Sequence, residues 1–430
     1  MSKLEKYPSY KDSGVEWLGE IPEHWEVRKL KLISNIYNGA TPSSGIENFW
    51  NGHISWVTPT DFNKSNYIGQ TERKITKSGL HSCGTTLVPK DSIIMTTRAP
   101  IGNIAIAENE LCTNQGCKSI VIDKNTDKNF MFYQFYTKSG LLNSLGSGTT
   151  FMELSSKELK NIKLPLPPKQ EQTKIASFLD VKTAQIDEVI SQKEKQIELL
   201  KERKQIVIND AVTKGLDKTV EFVDSGVEWI GEIPKGWEVN RLKFLFKIRK
   251  RIANSLGYDV LSITQKGIKV KDIDSGEGQL AMDYSKYQLA FKGDFAMNHM
   301  DLLTGYIDIS KFDGAISPDY RVFTLEDSNC IPEYYLRLFQ MCYHEKIFYA
   351  FGQGVSQLGR WRFPADDFNN FFIPIPPKNE QLQIVEHIET QTTKIDKAIE
   401  LQQNYIAKLK EYKASLIDSV VTGKVMVYCD

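Results

Sequence analysis

The chain is poor in the features that would assign it to several common classes. Its six cysteines (Cys83, Cys112, Cys117, Cys330, Cys342 and Cys429) are scattered over 430 residues with no C-x-x-C pair. That suits reduced thiols in a reducing compartment and leaves no disulfide to be expected. No stretch approaches the roughly 18 uninterrupted apolar residues of a membrane span, and the opening MSKLEKYPSYKDSG holds no apolar segment of signal-peptide length. A cytoplasmic protein is expected. There is no net charge, with 54 Lys and Arg against 54 Asp and Glu. The overall cationic excess typical of phosphate binding is therefore missing, and any case for nucleic acid must rest on local charge.

Catalytic signatures are missing as well. No G-x-x-x-x-G-K-[ST] occurs, because Gly423-Lys424 has no glycine five residues earlier, and ATP hydrolysis is not expected. Gly146-Ser-Gly148 and Gly352-Gln-Gly354 are bare G-x-G patterns without a strand-turn-helix context. The Pro-Pro pairs at 167–168 and 376–377 lack the preceding Asn or Asp and the following aromatic of an amino-methyltransferase. Leu166 and Lys169 occupy those positions in one copy, Ile375 and Lys378 in the other. His81, Cys83, Cys112 and Cys117 fit no common zinc spacing. Asp294, His299 and Asp301 could suggest a nuclease cluster, but the first half has no equivalent, and a solvated or base-reading loop is the better reading.

What the chain does have is an internal repeat. Asp12–Val27 (DSGVEWLGEIPEHWEV) and Asp224–Val239 (DSGVEWIGEIPKGWEV) agree at 13 of 16 positions, at an offset of 224 − 12 = 212. A second pair matches Pro165, Pro167, Pro168, Glu171, Gln172, Ile175, Ile186 and Asp187 with Pro374, Pro376, Pro377, Glu380, Gln381, Ile384, Ile395 and Asp396, at 374 − 165 = 209. Val212-Thr213 and Val421-Thr422 keep that offset. The stretches between the frames look unrelated, apart from anchors such as Gly146-Ser-Gly-Thr149 and Gly352-Gln-Gly-Val355. One fold built twice with different surface chemistry is implied. Short β-branched and aromatic runs (SIIMTT, NIAIA, KSIVI, YDVLSIT) separated by Gly, Pro, Asn and Asp read as strands, while FMFYQFYTKSGLLNSL and PEYYLRLFQMCYHEKIFYAF each read as a buried helix.

The second repeated segments begin long helices at Pro168 and Pro377, with Glu171 and Glu380 near the positive end of the helix dipole. Apolar residues then recur in three- and four-residue steps. The first series is Ile186, Ile190, Ile197, Leu200, Val207 and Ala211, with Lys193 and Lys204 in its gaps. The second is Ile395, Ile399, Ile406, Leu409, Leu416 and Val420, with Gln402 and Lys413 in its gaps. About 36 residues at 1.5 Å each make roughly 54 Å, too long for a small domain's surface helix. Each helix needs a long partner, and connectivity makes them antiparallel partners of one another. The predicted fold class is thus α/β (α+β) with duplicated architecture: two similar mixed domains separated by a long antiparallel two-helix coiled coil, pseudo-twofold, with the C-terminal tail returning beside the first domain.

Local charge points to nucleic acid. Arg241–Arg251 holds six basic residues and no acid. Lys247, Arg249, Lys250 and Arg251, with Asn254, Gln265, Lys266 and His299, form a candidate face on which cations grip phosphate and amides read bases. In the first half the counterpart is Thr58, Thr60, Asp61, Asn63, Lys64, Arg98, Asn114 and Gln115. The same residue types also occur as turn formers or on the solvated face of a strand.

The duplicated EWLGEIPxxW frames, the duplicated PxPPxxEQxxI helix starts and Thr113-Asn-Gln-Gly116 resemble the specificity subunits of type I restriction-modification enzymes over essentially the whole chain. The resemblance implies target recognition domains at 1–164 and 217–373 and helical spacers at 165–216 and 374–430. Each domain would read one half of a bipartite, asymmetric sequence in double-stranded DNA. The chain itself would be non-catalytic, in a prokaryotic cytoplasm. Two methylation subunits using S-adenosylmethionine on adenine, and two restriction subunits using ATP and Mg, would assemble on it. Ile186, Ile190, Ile197, Leu200, Ile395, Ile399, Ile406 and Leu409 would mark the partner-binding helices. No cofactor is expected in this chain. The alternative is an adaptor with two repeated interaction domains that never touches DNA.

Overall fold

The computed structural model describes residues 5–62, 65–147, 152–272, 283–354 and 361–427. The chain forms two compact units, one of Met1–Lys193 with Gln403–Asp430 and the other of Glu194–Gln402. Each contains a reader built from one variable region, together with part of two long helices.

Both readers stand on the same frame. In the first unit Tyr10–Asp12 pairs antiparallel with Glu20–Pro22, and Glu26–Lys29 pairs with Lys163–Leu166. In the second, Phe222–Asp224 pairs with Glu232–Pro234, and Glu238–Arg241 with Phe372–Ile375. The repeated Asp-Ser-Gly is a turn device: the Asp12 and Asp224 carboxylates each accept from the glycine amide two residues on at 2.9 Å. Gly14 and Gly226 sit at φ +63° and +69°, where a side chain would be strained. The two ends of each variable region emerge side by side from one two-stranded ladder, with Val27 opposite Pro165 and Val239 opposite Pro374. The interior can therefore change while its attachment does not.

The interiors share a topology that their sequences do not show. In the first reader the strands are β1 (Ser34–Asn38), β2 (Trp50–Val57), β3 (Lys74–Ile75), β4 (Ile93–Thr96), β5 (Ile104–Ala107), β6 (Leu111–Thr113) and β7 (Cys117–Ile122). In the second they are β8 (Phe246–Arg249), β9 (Val260–Thr264), β10 (Gly267–Val270), β11 (Phe295–Met297), β12 (Ile307–Ile309), β13 (Gly314–Ile316) and β14 (Arg321–Leu325). One sheet runs β1-β7-β4-β5 in the first reader and β8-β14-β11-β12 in the second, antiparallel throughout. The other runs β6-β2-β3 and β13-β9-β10, with one parallel and one antiparallel pairing in each. The added edge strands differ: Tyr67–Ile68 lies beside β5, and Gln288–Ala290 beside β13.

A buried helix backs each first sheet, α1 (Lys128–Tyr136) and α3 (Pro332–His344). Both expected single helices are broken: that over 130–145 stops after Tyr136 and resumes at Ser139–Ser144, and that over 332–351 stops after His344 and resumes at Ile347–Ala350. The second core is aromatic. Phe295 stacks on Phe323 at 5.3 Å, and Phe246, Tyr335 and Phe339 close edge-on or tilted around them.

The long helices are α2 (Lys169–Lys214) and α4 (Lys378–Val421). Each starts on the frame. Glu171 accepts the Trp25 indole N–H at 3.2 Å, and Glu380 accepts that of Trp237 at 2.9 Å. Buried Gln172 donates to the Pro167 carbonyl and accepts from the Asp127 amide, both at 2.8 Å; Gln381 does the same with Pro376 and Ile331. Inside each unit the helices run antiparallel. In the first, Asp187 faces Lys413 at 2.6 Å while Lys193 lies over Tyr405. In the second, Lys204 faces Asp396 at 2.7 Å while Gly215 adjoins Glu380. The lysines in the apolar series thus meet carboxylates and a ring, and 187 + 413 equals 204 + 396, one register in both units. The seam residues Ile186, Ile190, Ile197, Ile395 and Ile406 are buried, and Leu200, Ile399 and Leu409 are half-buried. The outward apolar side chains on these helices are others, including Leu199, Ile206, Leu401, Tyr405 and Tyr412.

The end of α4 closes the first unit. Gln134 donates to the Val421 carbonyl at 2.8 Å, Lys424 Nζ reaches the Leu18 and Glu20 carbonyls, and the Met426 amide donates to Glu5 at 2.7 Å.

Because the Met426 amide donates to Glu5, linking the N- and C-termini and reopening at exposed Lys218 should leave circular dichroism unchanged and Tm within a few degrees. Lys413→Asp should place two carboxylates across the seam and cost about 1–2 kcal/mol. Adding Asp187→Lys should restore most of that loss in a denaturant titration.

Candidate nucleic-acid interface

The strand registers define equivalent positions at one end of both readers. Thr113 pairs with Val57 as Ile316 pairs with Leu261, and Cys117 pairs with Thr96 as Arg321 pairs with Met297. The next residues lie at the same end of the fold, Arg98 exposed, Thr97 buried and the others part-buried. Thr58 corresponds to Ser262, Asn114 to Ser317, Thr97 to Asn298 and Arg98 to His299.

In the first reader these loops are tied together. The Thr58 amide and hydroxyl both donate to Asp61 Oδ2 at 2.7 Å, and Asp61 Oδ1 accepts from the Glu72 amide, so this carboxylate is spent on shaping the loop. The Thr60 hydroxyl lies 2.8 Å from that of Thr58. Asn114 donates through its amide to Val57 and accepts the Gly116 amide on its side chain, forming an Asx turn. Gln115 meets the Thr41 hydroxyl. Arg98 is exposed and donates from Nε to Glu153 at 2.9 Å. Buried Lys118 lies 3.7 Å from the same carboxylate, and desolvation holds its ammonium below the ordinary lysine range. Thr60, Arg98 and Gln115 are the exposed side chains of this set. Asn63 and Lys64 lie outside the described residues.

In the second reader the equivalent end holds a cavity of about 350 Å³ lined by Ser262, Asn298, Ser317, Asp319 and Tyr320, with Tyr284 and Tyr287. The basic run is divided. Arg249 on β8 donates to Thr324 at 2.8 Å and pairs with Glu326. Arg251 pairs with buried Asp294 and lies over Phe291. Lys247 and Lys250 stay exposed. Asn254 adopts a left-handed turn at φ +54° and its amide donates to Ser285. Gln265 and Lys266 form the β9–β10 turn and line a separate groove with Lys292, Lys311 and Arg337. His299 is largely buried, its Nδ1 has no partner among the described residues, and desolvation with Arg321 and Arg362 nearby pushes its pKa down to about 4. Asp294 and Asp301 have separate structural work, Asp301 accepting the Leu303 and Thr304 amides.

This duplicated architecture has known counterparts. The family described as Type I restriction modification DNA specificity domain matches twice, at residues 22–199 and 234–411. The chain belongs to that family. It is 39% identical over 253 residues to the specificity subunit of type I restriction enzyme MjaIX from Methanocaldococcus jannaschii, a match spanning 58% of this chain and 57% of that relative. With the MjaVIII specificity subunit of the same organism it is 25% identical across 95% and 94% of the two chains. With the EcoBI specificity subunit of Escherichia coli it is 24% identical across 96% and 89%. In fold it is similar to the HsdS subunit from Thermoanaerobacter tengcongensis (TM-score 0.53, 16% identity, 94% and 98% covered). It is also similar to a chain solved in work on complex assembly and conformational transition of the type I R-M system (TM-score 0.67, 16%, 93% and 98%).

Within this DNA specificity family member, sequence reasoning missed Ser262, Asn298 and Ser317-Pro-Asp-Tyr320. The signal was present but faint. Ser317–Tyr320 leads into a strand as Asn114–Gly116 does, yet nothing in residue type links the two.

His299 sets a pH dependence. Its folded value lies below the ordinary 6.5, so it contributes stability that is present above pH 6.5 and lost as pH falls toward 4. His299→Gln should abolish a loss on the order of 2 kcal/mol across that window. Thermal melts of both proteins between pH 4 and 7 measure it.

Proposed function

We propose that this chain is the DNA-recognition subunit of a type I restriction-modification assembly, with each reader contacting one half of a bipartite, asymmetric duplex sequence. One observation carries this reading. Two readers with the same strand order and register present different polar residues at the same positions: Thr58, Asn114 and Arg98 in one, Ser262, Ser317 and His299 in the other. A shared scaffold with diversified polar loops suits base-edge readout, because hydrogen-bonding side chains discriminate bases while the scaffold fixes their position. The family membership supports it, and so do relatives named as specificity subunits.

The chain's own role in this reading is to bind, orient and select. Methylation subunits holding S-adenosylmethionine would modify adenine, and restriction subunits using ATP and Mg would cleave. Two of each would assemble on one specificity subunit, with the outward faces of α2 and α4 as docking surface. With equal numbers of acidic and basic residues, the chain would borrow positive surface from its partners to hold the phosphate backbone.

The test is a reader exchange. Replacing residues 28–160 with another member's interior should change one half-site and leave the other intact, read by mapping methylated adenines on a random duplex library with a methylation subunit present. Both half-sites changing together would refute independent readers. Assembly with no sequence selection at all would favour the adaptor.

A further inference from the structure

In the first reader one exposed cation is held by a carboxylate that is itself held from behind. Arg98 lies two residues after β4, at the same end of the reader as Thr58 and Asn114, and its Nε donates to Glu153 Oε2 at 2.9 Å. The other oxygen of that carboxylate is 3.7 Å from the ammonium of Lys118, a residue of β7 whose side chain is only 6% exposed. A buried ammonium needs a carboxylate beside it, so Lys118 fixes Glu153 on the inner side while Arg98 meets it on the outer. The backbone fixes it too. Glu153 and Ser147 exchange both amide–carbonyl bonds, at 3.0 and 3.1 Å, and the Leu154 amide donates to the Thr97 carbonyl at 2.8 Å. The three side chains carry one surplus positive charge, and of the two cations only Arg98 is exposed.

What remains of Arg98 is chemically narrow. Its ion pair runs through Nε, and its two Nη groups have no partner among the described residues. Two parallel N–H donors in one plane match the O6 and N7 acceptors of guanine in the major groove. A phosphate is the poorer ligand, because it would bring a second negative charge up to Glu153 and be repelled. An uncharged acceptor edge avoids that cost. The second reader builds the same bridge with the opposite charge: Gln353 and Arg362 exchange the two bonds that Ser147 and Glu153 exchange, at 2.8 and 2.9 Å. Arg362 therefore stands in the place of the carboxylate, and the residue after Arg321 is buried Val322 where β7 has Lys118. The construction belongs to one reader.

We propose that Arg98 reads a guanine through its two Nη groups and that Glu153, anchored by Lys118, is the residue that positions it. This rests on the DNA-recognition reading above, to which it adds a base identity and two positioning residues within the half-site of the first reader.

The test uses the full chain assembled with a methylation subunit, with methylated motifs mapped on a random duplex library. The half-site of the first reader is the one that changes on exchange of residues 28–160. The wild type should demand guanine at one position there. Arg98→Lys keeps the charge and loses the fork, and should lower that preference roughly tenfold or more, the ratio for a lost bidentate pair, with every other position kept. Glu153→Gln should relax the same position by a smaller factor. Added to Arg98→Lys it should cost nothing further, because Glu153 acts only through Arg98. Since Glu153→Gln leaves Lys118 buried beside a neutral amide, Glu153→Gln with Lys118→Met is made in parallel and should relax the position alike, circular dichroism confirming each fold. Three results would overturn the proposal: a half-site with no such guanine, a folded Glu153 variant with wild-type preference, or uniform weakening across all sequences with a shallower salt dependence, the mark of a phosphate contact. Each of these leaves two-reader recognition standing, whereas a wild type without any sequence selection refutes both.

Discussion

A buried glutamine in the first turn of each long helix is the joint on which the rest depends. Gln172 and Gln381 each bridge a proline carbonyl of the frame to the amide of the residue that caps a reader's buried helix. A side-chain amide can donate and accept at once, so one residue locks three elements, and its burial makes an unmade bond costly. The neighbouring glutamate takes the frame tryptophan's indole. Together they set the direction in which each helix leaves its reader. That direction permits the antiparallel seam and the return of each helix end to a frame.

Variation is confined by the same arrangement. The interior of each reader hangs from a two-stranded ladder, and ladder registers are strongly specified when one face is buried. Loops beyond the strand ends are free to change as long as the strands keep their pairing. Thr58 and Ser262, or Arg98 and His299, hold equivalent positions with unlike chemistry because neither is needed for the core. The side chains of the cores differ too, with Ile94 and Leu111 in an aliphatic cluster of one reader and Leu261 and Ile316 in that of the other, and with Phe130 and Phe135 buried in the first and Phe323 and Phe339 in the second, yet both support one strand order. Volume and patterning suffice to hold a topology, whereas residue identity is free to drift.

Charge is used sparingly and by position. The ion pairs of the seam lie at repeat-related sites and share one register. These symmetric contacts favour the antiparallel pairing. A chain of zero net charge can do this, because what matters is which carboxylate faces which cation at close range.

The repeat, the frames, the helix starts and the apolar series were legible in the sequence because each depends on local pattern: turn geometry at Asp-Ser-Gly, proline ahead of a helix, three- and four-residue apolar spacing. The polar gaps at Lys193, Lys204 and Lys413 were legible as interruptions, but their partners 192 to 226 residues away were not. Tertiary structure decided the chemistry of the reader ends. Asp61 looked available and is consumed by its own loop, Arg249 and Arg251 looked like one cationic face and are divided between Glu326 and Asp294, and Ser317–Tyr320 looked like an ordinary turn and borders the cavity. The reason is physical. A periodic pattern records which face of an element is buried, whereas the partner of a loop side chain depends on strand register between segments far apart in the chain, which no local pattern encodes.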